Sequence, residues 1–188
     1  MKKSHPVLWT VVLVLIVLAA YANFMVRRGF SAKDEPSGAE KVIARAMRSL
    51  AIPSSAKSEK NPLPASAENI HDGLEHFADH CATCHANDGS GKSDIGPNLY
   101  PKPPDMRAAE TQNLSDGEIY YIIANGVRLS AMPASDHTAE DNWKLVLFIR
   151  HLPNLTPAEQ KEMEKLNPGE EEDEHHDDSA APEHHHHH

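Results

Sequence analysis

The chain has 188 residues but only two cysteines, and 5% of its residues are aromatic. No run alternates apolar and polar residues between turn signals, so no strand is expected. That argues against β and α/β folds and predicts an all-α protein. So few aromatic side chains leave a small domain short of buried surface, a shortage that a large apolar cofactor would relieve. Basic residues are also scarce. The net charge is −10; residues 66–152 carry 13 acids and 6 bases, and residues 167–188 carry eight acids and no Lys or Arg. Outside the first half of the 29–65 segment there is no basic stripe, which argues against a nucleic-acid partner. Partners with a basic docking face are expected instead, bound in a salt-sensitive way.

What the chain has in excess lies near its start. Residues 7–26, VLWTVVLVLIVLAAYANFMV, contain no charge. Twenty such residues make about 30 Å of helix, enough to span a bilayer. The same stretch can be read as a signal peptide with Ala20-Tyr21-Ala22 as its small-x-small cleavage site. Apolar residues continue past that site through Phe24, Met25 and Val26, which favours an uncleaved anchor. Lys2, Lys3, Arg27 and Arg28 flank the run on both sides, so the orientation signal is weak. Both readings export the rest of the chain.

Residues 31–64 are rich in Ser, Pro, Ala and Lys and read as a tether. Within it Ala39, Val42, Ile43, Ala46, Met47 and Leu50 follow a helical period, opposite Glu40, Lys41, Arg45 and Arg48. Two fates are open for this amphipathic helix. It lies on a membrane or a partner, or it packs on its own domain. Beyond it, start signals recur at Ser66, Ser115-Asp-Gly-Glu118, Thr138-Ala-Glu-Asp141 and Thr156-Pro-Ala-Glu159, with Gly126 as a stop. The long loops between these helices, 86–111 and 127–137, imply that they wrap something. The expected organisation is an anchor or signal segment at 1–28, a linker with a short amphipathic helix at 29–65, a folded domain at 66–166 and a disordered acidic, His-rich tail at 167–188.

The two cysteines stand together in Cys81-Ala-Thr-Cys84-His85. A disulfide between them would be strained and enclose almost no loop. A dithiol redox pair belongs at the end of a strand in an α/β fold. A zinc site would need a second pair of ligands. Covalent haem attachment uses both thiols as thioethers and leaves the adjacent His85 to ligate the iron. It also suits an exported domain, where free vicinal thiols would oxidise.

From Glu68 to Pro153 the sequence resembles the class I c-type cytochromes, in particular small membrane-tethered bacterial ones. Gly73-x3-Phe77-x3-Cys81 is similar to the family's N-terminal helix, and Leu145-x2-Phe148-Ile149 to the C-terminal helix that crosses it. Asp88-Gly-Ser-Gly91 is similar to the small-residue turn beneath the haem edge. Gly96-Pro97-Asn98-Leu99 matches the segment whose proline carbonyl, in the family, accepts a hydrogen bond from the proximal histidine. The resemblance implies cytochrome c-like helices around one covalent haem c, with Cys81, Cys84, His85, Pro97, Leu99 and Met132 about it. The iron ligands it implies are His85 and Met132, the latter from the Met-Pro loop that carries the distal ligand in the family. Among the other candidates, Met106 is expected on the wrapping loop and Met163 beyond the core. His71, His76 and His80 are expected to face solvent, and His137 is a minor alternative. His/Met ligation favours ferrous iron, and cover from Leu99, Ile122, Ile123 and Leu129 would raise the potential further. The implied protein is a one-electron carrier, not an enzyme, with redox protein partners. It would be single-pass in the cytoplasmic membrane with the haem on the periplasmic side, or soluble in the periplasm after cleavage near Ala22. Its rivals are a haem-bearing subunit of a larger oxidoreductase and, less favoured, a gas sensor.

Overall fold

The computed structural model describes residues 6–169; Lys2, Lys3 and the tail from residue 170 lie outside the described residues. The chain divides into two units, one through Glu35 and one from Pro36. The first holds helix α1, Pro6–Arg28, whose most apolar window has a mean hydropathy of 2.4. By length and composition α1 is able to cross a membrane. No residue of α1 is buried within the protein, as befits a helix apolar on every face.

Among its described residues the second unit has helices and loops and no strand. In chain order it contains α2 (Gly38–Ala51), α3 (Ser54–Ser58), α4 (Ala67–His80), α5 (Ala82–His85), α6 (Ala109–Gln112), α7 (Asp116–Asn125), α8 (Ala139–His151) and α9 (Pro157–Leu166). The expected caps form. The side chains of Ser66, Ser115, Thr138 and Thr156 each accept a backbone N–H of the first turn, and Glu118, Asp141 and Glu159 complete reciprocal boxes. Each such cap contributes about 1 kcal/mol by satisfying donors that the helix itself leaves free.

α4 packs on α8, and this pair organises the core. Phe77 and Phe148 meet with ring centroids 5.2 Å apart. Leu74, Ala78, Leu145, Val146 and Ile149 close around them. The close approach depends on Gly73: a Cβ there would lie 2.3 Å from the Lys144 carbonyl oxygen. Gly73→Ala gains about 1 kcal/mol of helix propensity, but the clash is with backbone and forces α4 and α8 apart. A net loss of about 1–3 kcal/mol is expected, read as a lower thermal midpoint of the haem-loaded protein; an unchanged or raised midpoint would mean that the crossing is looser than described.

Two parts of the chain pack more closely on the core than their composition predicts. Met163 on α9 is fully buried in the core cluster, not beyond it. The second is the expected linker, which belongs from Pro36 onward to the same compact unit as the core. Ile52 is buried. Lys57 gives its carbonyl to the Ser115 hydroxyl at 2.8 Å, and Asn61 donates to the Trp143 carbonyl at 2.9 Å. The Ala56 carbonyl oxygen lies 1.9 Å from where a Cβ on Gly117 would be, so α3 seats against backbone at the start of α7. These are backbone-directed contacts across long sequence separations, and composition does not register them. α2 resolves its two open fates in part. Its charged side meets the domain, with Arg45 bonded to Glu110 and the Tyr100 hydroxyl donating to Glu40. Its apolar residues Val42, Ile43, Met47 and Leu50 stay exposed.

Candidate haem site

α4 ends where the cysteines begin. Cys81 is its C-cap, and the chain turns directly into α5, which carries Cys84 and His85. The His85 N–H donates to the Cys81 carbonyl at 2.9 Å, so the two thiols and the imidazole fall within one helical turn. Ala86 then takes a positive φ of 63°, which ends the turn sharply. The two cysteines are not joined by a disulfide. Burial, and then Cys84 beside it, pushes the Cys81 thiol up to about 12, so it is no thiolate-based redox group. Burial alone brings His85 down to about 4, which keeps its imidazole in the neutral form that ligates metals. Its Nδ1 is buried without a hydrogen-bond partner. A buried neutral imidazole with an unpaired nitrogen, beside two undisulfided thiols, is a donor set that fits a covalently held haem.

The loop after His85 is fastened to this turn. Gly91 donates to the His85 carbonyl at 2.8 Å, and the Ser93 hydroxyl donates to the Cys84 carbonyl at 3.1 Å while accepting from the Gly96 N–H. Gly96 is required here, since a Cβ would lie 2.4 Å from the Gly91 carbonyl oxygen and 2.9 Å from that of Cys84. Farther along, Arg107 clasps Asp88 at 2.6 Å and Asp105 at 2.9 Å. Arg150 bonds Asp116 and the carbonyls of Gln112 and Leu114. Ser93, Arg107, Gln112 and Arg150 do not stand out in the sequence. Their one signal is that Arg107 and Arg150 are rare bases in an acidic domain.

The other expected site residues differ in their placement. Pro97 is exposed in a 3-10 turn, Gly96–Asn98, and its carbonyl accepts from the Lys102 ammonium. The bond expected between that carbonyl and His85 Nδ1 is not formed, because the carbonyl is turned to a surface lysine. Leu99 and Ile122 are half-buried and Ile123 is buried. Leu129 is 93% exposed at a positive φ of 62°.

Met132 is half-buried in a narrow loop opened by Gly126 at φ 65°. Val127 donates to the Met132 carbonyl at 3.1 Å, and Met132 donates to the Ser130 hydroxyl at 3.1 Å. A Cβ on Gly126 would lie 2.5 Å from the Pro133 carbonyl carbon, so only glycine lets the loop close. Met106 and Met163 are instead packed into the hydrophobic core. Met106, expected on the wrapping loop, thus has its side chain in the core cluster. His137 and His76 lie with ring centroids 4.3 Å apart, so His76 is covered by a neighbour rather than facing solvent.

Residues 68–149 match the family model described as cytochrome c oxidase, cbb3-type, subunit III. No curated protein matches the chain. The matched span starts in α4 and ends in α8, the two helices whose crossing frames the attachment turn. The family implies a covalently bound haem c, and Cys81 and Cys84 fit its attachment motif. The match covers less than half of the chain, and over that span it supports a class I c-type cytochrome domain, haem-bearing and suited to electron transfer.

Proposed function

We propose that this is a monohaem electron carrier, tethered by α1 with its cytochrome domain on the outer side of the cytoplasmic membrane. The observation that carries the reading is the buried, neutral His85 one turn after Cys81, with the Met132 loop held by its own hydrogen bonds. Haem iron supplies a one-electron couple when bound. Cys81 and Cys84 would hold the group by thioethers, and His85 and Met132 would ligate it, a pair that favours the reduced state. Leu99, Ile122 and Ile123 would limit water near it. The excess of acids over bases on 66–152 would present an acidic rim to basic redox partners. A tether keeps the carrier concentrated near membrane complexes.

The description of the matching family favours a second reading, a haem-bearing subunit of a larger membrane oxidoreductase. One preparation tests both. The chain is expected in the membrane fraction, retained at high salt and released by detergent, and then running as a single polypeptide. Recovery in a stoichiometric complex would favour the subunit. Native protein beginning at Asn23 by mass spectrometry would replace the anchor with a soluble periplasmic protein.

A further inference from the structure

Three histidines meet beside the attachment turn, and none of them belongs to the Cys81–His85 motif. His76 and His80 stand four residues apart on α4, a spacing that puts both on one helix face. His137, from the segment between the Met132 loop and α8, reaches the same face. The ring centroids are 4.3 Å apart for His76 and His137, 4.4 Å for His80 and His137, and 5.2 Å for His76 and His80. Zn–N bonds of about 2.0–2.1 Å place the imidazole centroids of a tetrahedral site about 5 Å apart, so rings this close can share one ion once side-chain rotation brings a nitrogen of each to a common point. A second observation points the same way: Nε2 of His76 is buried and has no hydrogen-bond partner. A buried imidazole nitrogen left unpaired is costly, and a metal ion would satisfy it.

We infer that His76, His80 and His137 form a binding site for a divalent transition-metal cation of the zinc type, joining α4 to the segment that follows the Met132 loop. The rings meet tilted or edge-on, so binding turns their nitrogens inward by side-chain rotation. Carboxylates flank all three rings: Asp141 lies 4.0 Å from His76 Nε2, Asp79 3.7 Å from His80 Nε2 and Asp136 3.8 Å from His137 Nε2. They add negative charge around a bound cation. Asp72, Glu75, Asp79 and Asp141 also line a cleft beside His76 together with Lys144, which pairs with Asp72 at 3.0 Å, so the cleft keeps a net negative charge toward a cation. A different group, His71, Asp72 and Glu75, also brings ligand atoms within 4.8 Å of one another. There His71 is already bonded to Glu162 at 2.9 Å.

The test uses the full-length, haem-loaded protein with its tail histidines, His175, His176 and His184 to His188, replaced by serine, so that the tail does not take up metal. Zinc chloride is titrated calorimetrically, and the thermal midpoint is followed with and without it. One tight equivalent and a raised midpoint are expected, since a ligand that binds only the native state stabilises it. His137→Ala and His80→Ala should each weaken that equivalent by at least about tenfold and cancel the rise, as loss of one of three ligands requires. His71→Ala should change neither. Should His137→Ala fail to fold, His80→Ala decides, since its ring is nearly half exposed. No tight zinc binding would overturn the site, as would binding that survives His80→Ala and disappears with His71→Ala.

Discussion

Replacing Met132 by alanine should open one coordination position on the iron while His85 stays. The oxidised protein should lose its weak far-red sulfur-to-iron charge-transfer band. The potential should fall, because the thioether that favours ferrous iron is gone. The ferrous form should bind carbon monoxide. The position of Met106 decides the control. It is packed in the core cluster, so Met106→Ala would cost about 2–5 kcal/mol of stability and blur the comparison. Met106→Leu conserves volume and should leave the band in place. A band that survives Met132→Ala but vanishes with Met106→Leu would move the ligand to Met106. A native protein without the band that binds carbon monoxide readily would argue for a sensor.

The second large effect concerns attachment. Denatured in acid and detergent, the protein should keep its haem, because thioethers survive unfolding whereas axial bonds do not. Cys81→Ala or Cys84→Ala should abolish or sharply reduce haem-loaded protein. Removing His85 as well is not needed to see this. The readout is haem staining of the denatured polypeptide on a gel, and haem that extracts fully into acidic organic solvent would refute covalent attachment. Both positions matter because the chain has no third cysteine to form a thioether.

Much of this was legible in the sequence because it is written locally. Cap boxes announce α7, α8 and α9 within four residues of each start, and the five-residue motif carries its own chemistry. What escaped the sequence depends on partners far along the chain. Gly117 reads as part of a capping box, yet its missing Cβ is what admits the Ala56 carbonyl. Residues 52–61 read as tether because Pro, Ser and Lys carry no apolar period. Their attachments are the buried Ile52, the seat of α3 on Gly117 and single hydrogen bonds to Ser115 and Trp143. Met163 lies in a helix that is mostly charged, so its burial is visible only once α9 folds back against α4. At the site itself, the motif predicted which atoms gather, but not that the Pro97 carbonyl turns to Lys102.

The strap formed by residues 52–61 also determines where a mechanical load enters the domain. Tension drawn along the chain from its N-terminal side meets the α2 contacts of Glu40 with Tyr100 and of Arg45 with Glu110, then Ile52, the seat of α3 on Gly117, and the Lys57–Ser115 and Asn61–Trp143 bonds. Those anchors pass the pull into α7 and α8 before it reaches Ser66 and the start of α4. The turn from Cys81 to His85 is thereby placed in the slack of the polypeptide, as if the domain were hung from its side rather than from the end that leads into its cofactor.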